Sequence, residues 1–220
     1  TWRRLVGATQ HRGAGRARPG RLRVELPDGS WREIVAYYHS GLEFDEDELD
    51  DLVWARSRHD VEFWAPDPHF QGPPIRYAWR LVADPRPFYP IYPVTVSGSS
   101  LGGSATISSP GDADAYPVWE LVGPGTPVLT RTDTGQSWGF GVEIPAGVTV
   151  TVDCRPTDIA PDTGLTAVDD QGVDWWPHFA GWPELWLIPP GDTQFEVAMV
   201  GATAESRVRL AFQPRYLSGW

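Results

Sequence analysis

Residues Gly98-Ser-Ser-Leu-Gly102 spell G-x-S-x-G, the spacing of a nucleophile elbow, with Ser100 at its centre. That spacing activates a serine only where a strand runs into a helix, because the strained turn there lifts the hydroxyl clear of the backbone. Here Gly103-Ser-Ala-Thr-Ile107 follows, which predicts a turn and then a strand, and His178 is the only histidine downstream. A Gly/Ser hairpin loop is the better reading. The other histidines (His11, His39, His59 and His69) show neither HExxH nor a paired ligand spacing, so no zinc site is predicted. The acidic run Glu43–Asp51 lacks both the glycine at the sixth position and the closing glutamate of an EF-hand loop. With 29 acids in the chain, carboxylate pairs for glycoside hydrolysis arise by number alone, and no local motif selects one. The expectation is a protein that is not an enzyme and takes no metal or cofactor.

Twelve tryptophans ask for a different chemistry. Exposed indole faces on a β-sandwich can stack on sugar rings, and Trp175, Trp176 and Trp182, gathered in the irregular stretch Asp170–Pro183, are the candidates for glycan contact. Against this stands packing, since large aromatics fill small two-sheet cores and subunit interfaces. Trp119, Trp138 and Trp186 sit inside or beside strand patterns and read as core.

The elements that must position these residues are strands. Gly 23 and Pro 22 in 220 residues are too many for a helical protein, and 41% hydrophobic content is too high for a disordered one. No apolar run is long enough to span a bilayer, so membrane insertion is not expected. One cysteine, Cys154, excludes an internal disulfide. All 18 basic residues are Arg, the formal net charge is −11, and the charge is unevenly placed. Residues 1–23 hold seven Arg and no acid, residues 43–51 hold seven acids and no base, and the chain from residue 86 onward holds six Arg against fifteen acids. A net acidic chain repels phosphate, which argues against specific DNA binding. A basic arm on one copy and an acidic loop on the next suit head-to-tail association, with Arg16, Arg18 and Arg21 facing Glu46, Asp47 and Glu48; two solvated segments are the alternative.

Alternation predicts strands over Arg21–Leu26 and Trp31–Tyr38, joined by the turn Pro27-Asp-Gly-Ser30. Residues 43–57 have weak helical spacing. Further strands are predicted at Asp60–Ala65 and Ile75–Val82, and the prolines at 85, 87, 90 and 93 then mark a stiff connector. This gives two domains, 1–86 and 87–220. In the second, short strand patterns follow every 8–12 residues with turn signals between them, the pattern of a β-sandwich or jelly roll.

The ordered motifs resemble those of phage distal tail proteins, the ring-forming proteins at the tip of a long non-contractile tail. The resemblance is carried by Pro19-Gly-Arg-Leu-Arg-Val-Glu-Leu26, Tyr38-His-Ser-Gly-Leu42, Val61-Glu-Phe-Trp-Ala-Pro-Asp-Pro68, Gly111-Asp-Ala-Asp-Ala-Tyr-Pro-Val-Trp119, Leu187-Ile-Pro-Pro-Gly191 and Val208-Arg-Leu-Ala-Phe-Gln-Pro-Arg-Tyr216. It implies an all-β protein, with an N-terminal ring-forming β-sandwich or split-barrel domain followed by a galectin-like jelly-roll sandwich. It also implies a homo-oligomeric ring of six copies in the virion, assembled after synthesis in the host cytoplasm. Such a ring links the tail tube to the hub and tail-associated lysin-like protein, offers a docking face for side fibres or receptor-binding proteins, and lets genome DNA pass without specific binding. Family members carry further strands ahead of the segment matching Arg21–Leu26; the Arg-rich residues here imply a different ring contact or a truncated chain. The alternative function is a carbohydrate-binding sandwich module of a receptor-binding or cell-wall-targeting protein.

Overall fold

The computed structural model describes residues 19–40, 61–80, 100–155 and 165–220. The predicted helix at 43–57 and the proline connector lie outside these residues. Within them the chain is all-β, with fourteen strands in three antiparallel sheets, none of which closes into a barrel. It divides into two units, Thr1–Pro73 with Tyr216–Trp220, and Pro74–Arg215.

The first unit is one sheet. Strands β1 (Gly20–Glu25) and β2 (Trp31–Ser40) form the predicted hairpin, with Arg21 opposite Val35 and Arg23 opposite Glu33. The turn follows from its residues. Asp28 accepts hydrogen bonds from the Ser30 amide (2.9 Å) and hydroxyl (2.7 Å), and Gly29 takes φ +83°, which a side chain would strain. Strands β3 (Glu62–Trp64) and β4 (Phe70–Gln71) both pair with β2.

The second unit is a two-sheet sandwich. One sheet has the order β11 (Thr166–Asp169), β10 (Thr149–Asp153), β7 (Val118–Val122), β13 (Arg207–Phe212), β5 (Ile75–Arg80). The other has the order β6 (Ser100–Ser109), β12 (Gly191–Val200), β8 (Thr126–Arg131), β9 (Ser137–Gly139). The short strand β14 (Arg215–Tyr216) takes the chain from this unit back to the edge of the first sheet beside β4. Alternate residues on facing strands fill the space between the sheets: Trp119, Leu121, Val150, Val152, Val208 and Leu210 from one, Ile107, Leu129, Phe195, Val197 and Met199 from the other. Trp119 lies at the centre, stacked on Trp79 at 6.1 Å and meeting Trp138 of β9 and Phe195 of β12 across the gap at 6.1 and 6.2 Å.

Two boundaries differ from the sequence reading. The strand assigned to the first domain, Ile75–Val82, is β5, and it pairs along its length with β13, Ile75 opposite Phe212 and Arg80 opposite Arg207. The division therefore falls at the Gly72-Pro-Pro74 break, not after residue 86. The Gly/Ser segment read as a hairpin loop is the first half of β6, paired with β12 from Ser100 opposite Val200 to Ser109 opposite Gly191. Gly102 and Gly103 pair in that strand opposite Ala198 and Val197, and a Cβ at Gly103 would meet the Trp79 ring at 3.4 Å, an ordinary contact.

Candidate functional site

The described residues of the first unit bury little apolar surface. Among its described residues the buried apolar side chains are Ile34 and Ala36. One face of the sheet carries Leu22, Val24, Ile34 and Ala36. By the alternation of a strand, the opposite face carries Arg21, Arg23, Trp31, Glu33, Val35, Tyr37 and Trp64. On that face Tyr37 lies opposite Trp64, with ring centroids 5.6 Å apart. Trp64 is 59% exposed and Val35 37%. Beside this aromatic patch Arg21 and Arg23 both donate to Glu33, at 3.0 and 2.8 Å, one to each carboxylate oxygen. The Arg23 guanidinium also sits over the Trp31 ring, 4.0 Å from its centroid. The two arginines cover the carboxylate, so Glu33 is buried on a face that is otherwise open. An indole, a phenol ring and a fixed pair of guanidinium groups in one flat area are the makings of a protein–protein contact.

The charge contacts expected between copies divide. Arg21 is committed to Glu33 within its own sheet while its side chain remains 71% exposed. Arg16, Arg18, Glu46, Asp47 and Glu48 lie outside the described residues.

The expected tryptophan trio does not form a stacking platform. Trp175 is buried against Phe140, their ring centroids 5.3 Å apart, and its Nε1 donates to Asp169 at 3.1 Å. Trp176 opens a single 3-10 turn, Trp176–His178, and packs on Phe179 and the core. Only Trp182, in the Gly181-Trp182-Pro183 bend, faces solvent, at 86% exposure. Asp169 organises this loop. It accepts from the Val173 amide at 2.8 Å and the Gln171 amide at 2.9 Å, as well as from the indole. These bonds, led by the one from Val173, hold its carboxyl below the usual 3.8.

Two further groups with reactive chemistry, Ser100 and Cys154, lie in the second unit. Ser100 is a residue of β6 within a sheet, with no helix following. Cys154 is buried, and burial, reinforced by the neighbouring Asp153 charge, pushes its thiol up to about 12. Among the described residues no group of three or more His, Cys, Asp and Glu is placed to hold a metal ion, and no helix is long and apolar enough to cross a membrane.

Sequence reasoning missed Trp64, Tyr37 and Val35. The signal was present in the doublets Tyr37-Tyr38 and Phe63-Trp64. Neighbours in a strand point to opposite faces, so two successive aromatics place one on each side of the sheet.

No family model, curated protein or solved structure matches this chain.

Proposed function

We propose that this protein is a non-enzymatic structural component of a phage tail tip, whose copies close into a ring through the first unit. In this reading the ring holds six copies, as the resemblance to distal tail proteins implies. It joins the tail tube above to the hub and tail-associated lysin-like protein below. The second unit is a galectin-like sandwich turned outward towards side fibres or receptor-binding proteins, and genome DNA passes through the central opening during ejection.

The observation that carries this reading is the imbalance between the two units. The second has a large aromatic core of its own. The described residues of the first pair their strands yet leave Trp64 and Val35 exposed, with Tyr37 half-buried beside them, around an ordered Arg–Glu–Arg cluster. A sheet with so little buried apolar area gains stability by burying its open face against another copy. The net charge of −11 supports passage of DNA without arrest, because phosphate meets repulsion in place of arginine contacts.

Of the three glycan-contact candidates, Trp175 is buried, Trp176 is half-buried against the core and Trp182 stands exposed by itself, which disfavours a shared stacking platform. The direct test of the ring is electron microscopy of the purified chain in negative stain. Closed rings with a central opening are expected; a field of single particles at micromolar concentration would refute the reading.

A further inference from the structure

The solvent face of the second unit's five-stranded sheet has the opposite charge sign to the chain as a whole. On β5 and β13 the side chains of Tyr77, Trp79, Val208 and Leu210 turn towards the core. The alternate residues therefore turn outward: Arg76, Ala78 and Arg80 from β5, and Arg207, Arg209 and Ala211 from β13. The register sets Arg76 opposite Ala211, Ala78 opposite Arg209, and Arg80 opposite Arg207. The neighbouring strand β7 adds Glu120, whose Oε2 accepts from Arg209 Nη1 at 3.0 Å. Among the described residues, Arg76, Arg80 and Arg207 have no carboxylate partner. On this face lies a groove of about 490 Å³ lined by Arg76, Arg209 and Glu120 together with the small side chains of Ala78, Ala211 and Val118; Arg80 and Arg207 flank it along the same two strands without lining it. Four arginines, one glutamate and a trough floored by short side chains form a cradle for an extended, negatively charged segment.

We infer that this trough is a docking surface for an acidic polypeptide, and that its occupant is the run Glu43–Asp51 of a second copy of the chain. That run holds seven acids in nine residues and no base, the densest negative stretch in the sequence. Its acids fall at 43, 45, 47 and 51 and again at 46, 48 and 50, so in extended form one face presents four carboxylates and the other three. Alternate residues of an extended chain are about 6.6 Å apart, and Arg76 and Arg80, four residues apart on one strand, are separated by about 13 Å. Carboxylates at 43 and 47, or at 46 and 50, repeat at the same distance. Guanidinium forks bind carboxylates through paired charge-assisted hydrogen bonds, which gives register as well as attraction. The inference adds a contact made by the second unit. It requires association of copies, but neither six-fold closure nor a place in a virion.

The test uses the full chain with its own run neutralised (E43Q, D45N, E46Q, D47N, E48Q, D50N and D51N) as receiver. A fluorescein-labelled peptide of residues 41–53 serves as probe, and binding is read by fluorescence anisotropy. Saturable binding is expected, weakening about tenfold as salt rises from about 50 to about 300 mM. Arg76→Gln with Arg207→Gln should weaken it about tenfold or more, while Arg131→Gln in the opposite sheet should leave it unchanged. All variants are checked by thermal melting; Arg76 and Arg207 are exposed, where folding tolerates a glutamine. Equal binding by the Arg76/Arg207 variant would overturn the inference. So would a DNA oligonucleotide or polyphosphate binding this face where the peptide does not. Rings that form without peptide binding would refute this contact alone; peptide binding by a protein that never forms rings would refute the ring alone.

Discussion

Replacing Trp64 by Ala separates a residue that stabilises an assembly from one that stabilises a fold. A tryptophan presents up to about 250 Å², and the 59% of Trp64 left uncovered in one copy leaves roughly 150 Å² to bury against another. At about 25 cal/mol per Å² the full transfer is worth about 3.7 kcal/mol. Covering half of it leaves about 2 kcal/mol, or roughly a thirtyfold change in dissociation constant per interface. The same substitution removes little from the isolated copy, where the ring touches mainly Tyr37 at a centroid distance of 5.6 Å. Sedimentation velocity across a dilution series is the assay, with thermal unfolding at a concentration low enough to dissociate the oligomer as control. The expected result is dissociation at a concentration roughly thirtyfold higher than for the unaltered chain, with the monomer's melting temperature nearly unchanged. An unchanged association profile with a large loss of monomer stability would place Trp64 in the fold, and would remove the open face as the basis of assembly.

Three further outcomes follow from the interior. Trp119→Ala should cost the second unit about 3–5 kcal/mol in chemical denaturation, because its contacts to Trp79, Trp138 and Phe195 join both sheets; Trp182→Ala should stay within about 0.5 kcal/mol. Cys154 should resist an aromatic disulfide reagent in the folded protein at neutral pH and react only on unfolding, since burial holds its thiol protonated with a value of about 12. Asp169 binds its proton less readily in the fold than in the unfolded chain, so the stability it lends the Trp175 loop is present above 3.8 and is lost as pH falls through its lower folded value. Near-ultraviolet circular dichroism should show that acid step in the unaltered chain and lose it in Asp169→Asn.

What could be read from the residues was whatever alternation and turn chemistry encode locally. The β1–β2 hairpin was legible because polar and apolar residues alternate on both sides of Pro27-Asp-Gly-Ser30, and the side chain of Asp28 closes that turn itself. The sandwich character of the second unit was legible from the same kind of signal. Pairings made far along the chain were not. Nothing in Ile75–Arg80 names β13, at residues 207–212, as its partner, so β5 was placed with its sequence neighbours. Gly102 and Gly103 read as a turn because a glycine's local meaning is flexibility, whereas in β6 they pair with Ala198 and Val197 of β12, a partner nearly a hundred residues away. For the loop tryptophans packing was the stronger of the two readings. The polar stretch around them suggests exposure, yet the hydrogen bonds of Asp169 and one 3-10 turn fold Trp175 and Trp176 back onto Phe140 and Phe179. The outward arginines of β5 and β13 were visible as Arg at alternate or fourth positions. They drew no attention while the two strands were assigned to different domains.

Native mass spectrometry of the intact chain tests the central claim most directly, because it counts copies without regard to shape. A dominant species at six times the 24.4 kDa of one chain, dissociating as ionic strength rises, is the result this account predicts. A single copy persisting at every concentration and salt level would contradict it.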